Sequence, residues 1–232
     1  MKNVRVVAAA AALSFAAAHS LATIVTYDPS LGTLPTAQGW NFSGTSLAGA
    51  TASSGILTYG PTTTSGTTAW DQVLPDNTMN FSTTTWSMTA NVRLSGATWG
   101  NVSGFRRGGL VLLLSDDAGR WIVADIGDNN VSLRNDNNGT SDPSASVSLT
   151  GSFHTVQLVA SPTGGQLFVD GTLRASLAMG TGFTNRNYMS FGEGSVLASA
   201  VSTEIGGIVV VPAPAPALAL GCVGLFAARR RR

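Results

Sequence analysis

Hydrophobic and polar positions alternate with a period of two along much of the middle of this 232-residue chain, the spacing of strands with one face buried. In 86–94, Met88, Ala90, Val92 and Leu94 fall on one side, which turns Thr89, Asn91 and Arg93 to the other. In 120–127, Ile122, Ala124 and Ile126 face one way and Trp121, Val123 and Asp125 the opposite way. The run 108–115 is apolar almost throughout, and further strands are predicted over 131–134, 153–160, 165–170 and 172–177. All are rich in β-branched or aromatic residues. Between them stand Asp116-Asp117-Ala118-Gly119, Asp128-Asn129-Asn130, Pro162-Thr163-Gly164-Gly165 and Asp170-Gly171. These are turn sequences, and an Asp-Gly pair between two strands is the strongest short hairpin cue. The Thr/Ser-rich stretches 43–69 and 82–89 read as edge strands and loops. No convincing helix falls within 23–209, so the pattern predicts an all-β sandwich, jelly roll or barrel of short antiparallel strands.

The two ends break this pattern. Lys2 and Arg5, the apolar run Val6 to Ala18 and the triplet Ser20-Leu21-Ala22 have the three parts of a secretory signal. Cleavage by signal peptidase after Ala22 is the expectation for 1–22. An uncleaved anchor is the alternative, although the apolar run is short for a span. At the other end Val211, Pro212, Ala213 and Pro214 open a proline-alternating spacer, 210–216. Residues 217–232 follow, an apolar segment closed by Arg229, Arg230, Arg231 and Arg232. Alternating prolines favour an extended spacer. The apolar segment, Ala217 to Ala228, reaches about 18 Å as a helix against roughly 30 Å of hydrocarbon. That makes a marginal permanent anchor and a sensible pause signal, with the arginines held at the cytoplasmic side.

Composition sharpens the picture. Six of the 13 basic residues lie in the two end segments, leaving 7 basic against 12 acidic side chains in the middle. Nucleic acid is therefore not an expected partner, because phosphate binding needs concentrated positive charge. The single cysteine, Cys222, lies in the tail, so no disulfide can form within 23–209. A hydrophobic core must stabilise that domain.

Two resemblances follow from these residues. Spacer, short apolar helix and terminal arginines resemble a PEP-CTERM sorting signal, with Ala213 standing where that family has Glu. The resemblance implies an exosortase-type processing enzyme, transient membrane association and a place at the envelope or in the extracellular matrix of a Gram-negative-type bacterium. Phe153-His154-Thr155-Val156, Gln166-Leu167-Phe168-Val169-Asp170-Gly171 and Met189-Ser190-Phe191-Gly192-Glu193-Gly194 resemble the late strands of concanavalin A-like and laminin G-like jelly rolls. That likeness implies two curved antiparallel sheets over 23–209, and a superfamily in which many members bind carbohydrate, often with calcium, and some hydrolyse glycans.

Candidate chemistry is sparse. Within 23–209 the only histidine is His154, and the parity it shares with Val156, Leu158 and Ala160 predicts a buried structural ring. Serine-triad and histidine–zinc sites then have little to build on. The only glutamates, Glu193 and Glu204, are not adjacent, and Asp125 with Asp128 is the remaining pair for glycoside hydrolysis, which needs two carboxylates across the bond. Calcium prefers several oxygen ligands; Asp128, Asn130, Asp136 and Asp142 are the candidates, in a segment where turn formation alone also explains Asp and Asn. If the strands share the concave sheet, Asn91, Arg93, Trp121, Asp125 and Gln157 gather on one outward face suited to an extracellular polysaccharide. The competing reading packs Trp121 under a loop. Arg106-Arg107 with Phe105 and Trp99 is a second contact patch or a solvated loop, and Trp40 and Trp70 are expected in the core or pinning loops. The expectation is a non-catalytic glycan-binding or matrix-associated protein, with a purely structural component or a glycoside hydrolase as alternatives.

Overall fold

A computed structural model describes residues 24–47, 49–60, 68–95, 100–102, 105–107, 109–135, 142–193 and 202–213. In chain order the strands are β1 (Val25–Tyr27), β2 (Asn41–Phe42), β3 (Thr51–Ser53), β4 (Ile56–Tyr59), β5 (Ala69–Val73) and β6 (Thr85–Ser95). Next come β7 (Gly100–Val102), β8 (Phe105–Arg107), β9 (Leu110–Ser115), β10 (Trp121–Ile126), β11 (Asn130–Arg134) and β12 (Ser144–Ser146). The last are β13 (His154–Ser161), β14 (Gly164–Val169), β15 (Thr172–Leu177), β16 (Tyr188–Gly192) and β17 (Ser202–Ala213). Two single 3-10 turns, Pro29–Leu31 and Pro35–Gln38, are the helical elements among the described residues. Among those residues no helix is long and apolar enough to cross a membrane.

The strands form two antiparallel sheets, the layers of a jelly-roll sandwich. One runs β15-β14-β13-β6-β17-β4-β3, with β1 added beside β17. The other runs β12-β11-β10-β9-β16-β5-β2, and β7 with β8 makes a separate hairpin against β10. Strand alternation places the core between the layers. Met88, Ala90, Val92 and Leu94 of β6 meet Ile122, Ala124 and Ile126 of β10 there, all fully buried. Trp40 and Trp70 join Tyr27, Tyr59 and Phe191 in an aromatic cluster at the β5 side, as expected for core tryptophans.

Three local devices set this packing. Gly165 of β14 lies so close to β10 that an added Cβ would sit 2.4 Å from Ile122 Cγ1. A register shift between Ile205 and Gly207 turns both Ile205 and Ile208, three apart, into the core. Leu149 ties the layers at one end: its carbonyl accepts Leu94 N–H at 3.0 Å and its N–H reaches Asp128 O at 2.7 Å.

The chain departs from the sequence reading in two boundaries. Strand β17 continues through Val211, Pro212 and Ala213, paired with Ser87, Trp86 and Thr85, so the sheet takes residues assigned to the spacer. The Ser/Thr-rich stretch 43–69 supplies β3 and β4, of which β4 buries Leu57 and Tyr59 rather than lying wholly at the surface. The signal segment with Ala22, the tail from Pro214 through Arg229 to Arg232, and Asp136 and Trp99 lie outside the described residues.

Candidate functional site

The outer face of the β12–β2 sheet is the better-built surface. Register aligns one outward row across it: Asn41, Asp71, Ser190, Leu113, Val123 and Arg134. The neighbouring row holds Val73, Tyr188, Ser115 and Trp121.

Half of this face is covered by the chain itself. Gly180 exchanges two backbone hydrogen bonds with Trp121, at 3.0 and 2.9 Å. The Ser115 hydroxyl donates to Asn185 O at 2.9 Å. This segment lays Phe183 on the Trp121 indole, with centroids 5.3 Å apart and planes within 29°. Val111, Trp121 and Val123 are thereby buried as a small second core, with Leu113 and Phe183 packed on it.

The uncovered half carries an apolar strip beside polar groups. Phe183 lies 6.1 Å from Tyr188, and Val73, opposite Tyr188 in register, is 61% exposed. Burial first, then the Asp71 carboxylate, push the Tyr188 phenol above its ordinary value, while the Ser190 and Ser43 hydroxyls pull it back. The phenol therefore stays neutral near neutral pH and keeps its O–H as a donor. An aromatic edge, an exposed valine, a carboxylate and two hydroxyls converge here. That is an apolar platform with a few polar groups, the pattern of small-ligand sites.

The five residues predicted to form one glycan face are not brought together. Asn91 and Arg93 of β6 and Gln157 of β13 occupy the outer side of the β15–β3 sheet, whereas Trp121 and Asp125 of β10 point out of the other sheet, on the opposite side of the molecule. Each set is also engaged. Arg93 forms an ion pair with Glu204 and lies over the Phe153 ring at 5.1 Å, and Gln157 donates to Thr89 at 3.3 Å. Asp125 is fully buried and accepts from Arg134 Nε at 2.6 Å. Trp121 lies under the 178–185 segment, as the competing reading held. Parity gave the face of each strand correctly but does not say which sheet a strand joins. Phe183 and Tyr188 were missed because they sit in a Gly/Asn/Thr-rich stretch with no alternation to expose them.

The calcium quartet is likewise not one site. Asn130 pairs in register with Ser146 and its side chain accepts from the Ser146 hydroxyl, at 3.3 Å, close to Asp128 at that end of β11. Asp142 lies two residues before Ser144, the partner of Ser132, which puts it at the opposite end of β11. Four residues of strand separate the ends by about 13 Å, too far to share an ion with ligands at 2.3–2.6 Å. Among the described residues no group of three or more His, Cys, Asp or Glu converges for a metal.

Nor do the described acids of this face pair for hydrolysis. Asp71 and Asp125 lie on β5 and β10, three strands apart and about 14 Å at 4.8 Å per strand; Asp125 with Asp128 is closer in sequence, but Asp125 is enclosed with Arg134. His154 also departs from the expected buried ring: at the first position of β13 it reaches past the core edge and bonds Asp170 at 2.7 Å.

The two antiparallel sheets form a jelly-roll sandwich that several solved structures share. Solved structures similar to it include a carbohydrate esterase from Shiga toxin-encoding bacteriophage phi24B, at TM-score 0.55 and 12% identity over 83% of this chain and 100% of that one. The exoplasmic/lumenal domain of VIP36, in its Ca2+/Man2-bound form, matches at TM-score 0.50 and 14% identity, over 82% of this chain and 88% of that one. The Crh5 transglycosylase in complex with NAG matches at 0.53 and 10% identity, over 83% and 85%. No protein-family model and no curated protein matches the chain.

Proposed function

We propose that this is an exported jelly-roll protein that binds extracellular polysaccharide on the outer face of the β12–β2 sheet. The observation that carries the reading is the Phe183–Tyr188–Val73 strip set beside Asp71 and Ser190. A sugar ring offers C–H faces that pack on such a strip, and hydroxyls that a carboxylate and serine hydroxyls satisfy. Jelly rolls solved with NAG and with Ca2+/Man2 support the class of ligand. Export rests on the 1–22 signal, and sorting to the envelope on the spacer, apolar segment and terminal arginines.

Glycan-array binding tests the site. Wild type is expected to bind a subset of polysaccharides, and Tyr188→Ala to lose at least about tenfold in affinity. Asp71→Asn, which keeps the volume, is expected to lose about tenfold as a charge-assisted bond goes. Leu173→Ala, exposed on the other sheet, should bind as wild type. Arrays without signal for a folded wild-type protein would reject the ligand and favour a purely structural matrix component.

A further inference from the structure

The far rim of the sandwich holds a second constellation, remote from the glycan face. Ser152 Oγ lies 3.3 Å from His154 Nε2, and His154 Nδ1 lies 2.7 Å from Asp170 Oδ2. An ionised carboxylate can only accept, so the Nδ1 contact fixes the ring proton there and leaves the Nε2 lone pair facing the serine. Asp170 is itself held from two sides: its Oδ1 accepts Thr155 N–H at 2.9 Å, and its own N–H donates to Thr155 O at 2.8 Å. Its backbone has φ 50° in the Asp170-Gly171 hairpin, a left-handed conformation that aspartate tolerates better than most residues. Sequence places these three residues 2 and 16 apart, and only the β13–β14 pairing brings them into line.

We propose that Ser152, His154 and Asp170 form an esterase site for small, activated acyl esters. Ser152 Oγ attacks the ester carbonyl carbon while its proton passes to His154 Nε2, and the carbonyl π pair moves onto oxygen. Collapse breaks the acyl–oxygen bond and the leaving alkoxide takes the proton from Nε2. Water then adds to the acyl-serine, giving its proton to Nε2; the acid departs and the proton returns to Oγ. The 3.3 Å serine–histidine separation is the looser spacing found before substrate arrives. Ser152's own N–H is spent on Thr150 O at 3.0 Å, so it is not free for the oxyanion. Base assistance then supplies the rate, on the order of 10²–10⁴-fold, which suits esters with good leaving groups. His154 and Ser152 are the catalytic residues, and Asp170 is a positioning residue.

Two measurements on the folded protein decide it. A fluorophosphonate probe should label wild type at Ser152, mapped by peptide mass, and label neither Ser152→Ala nor His154→Ala at that site. With p-nitrophenyl acetate, Ser152→Ala and His154→Ala should fall about 100-fold toward the buffer rate. Asp170→Asn keeps the acceptor for Thr155 and should lower kcat with KM unchanged and the melting temperature held. Absence of label at Ser152 in folded wild type, or hydrolysis that persists in Ser152→Ala, overturns the proposal.

Discussion

At the scale of single residues, buried polar groups decide more than their turn-like sequence suggests. Asp116 stands in a stretch that reads only as a β-turn, yet it is fully buried. Its carboxylate pairs with the Arg120 guanidinium, accepts Arg120 N–H at 2.9 Å and accepts Phe81 N–H at 3.0 Å. Beside it, buried Asn187 accepts Met79 N–H at 2.9 Å and donates to Asp117 at 3.0 Å. These bonds join three loops at the end of the sandwich where β9 turns into β10. Asp116→Ala strands two N–H groups and a cation, and should cost about 3–5 kcal/mol in chemical denaturation. A loss under 1 kcal/mol would show that the loops are held by packing instead.

At the scale of elements, β6, β9, β10, β11, β13, β14 and β15 are legible because each combines alternation or an apolar run with a turn sequence at its end, whereas β7, β8 and β12, with three residues each, are not. The predicted 86–94 and 172–177 coincide with β6 and β15 to within a residue or match outright. The first strands were not separable from loops. β2 and β3 have two and three residues, too few to show a period. Strand β17 is not among the strands the pattern predicts, because Gly206-Gly207 and Pro212 interrupt its apolar run; in the sheet they become a bulge and a strand end. The candidate glycan face suffered from a different gap. Trp121 was placed on the right side of its strand, but its cover, Phe183, comes from a segment with no strand pattern. Gly165 shows the reverse case, a turn residue in sequence that sets the distance between layers. Gly165→Ala should destabilise by about 1–3 kcal/mol through overpacking against Ile122, read as a lower denaturant midpoint with the slope unchanged.

At the scale of the whole molecule, one acid links the fold to pH. Glu193 is buried just beyond β16, and burial pushes its carboxyl from the ordinary 4.5 up to about 7. The native state therefore holds this proton more tightly than the unfolded chain does. Its stabilising contribution is complete below about pH 4.5 and is lost as pH rises through about 7. The upper bound is about 3 kcal/mol, at 1.36 kcal/mol per pH unit. Melting temperature should fall between pH 5 and 8, and Glu193→Gln should flatten that slope. A slope that persists in the variant would assign the linkage to another group.

The two outer faces of the sandwich make opposite demands on a ligand. On the β15–β3 side Arg93 is tied to Glu204 and Gln157 to Thr89, while the β12–β2 side leaves an aromatic strip and a carboxylate available. Amide chemical-shift mapping during titration with an oligosaccharide that the array identifies reads both faces at once. Shifts confined to Asp71, Phe183, Tyr188, Ser190 and their neighbours are the predicted result. Shifts centred on Asn91, Arg93 and Gln157, or no shifts at all, would contradict the assignment of the glycan face.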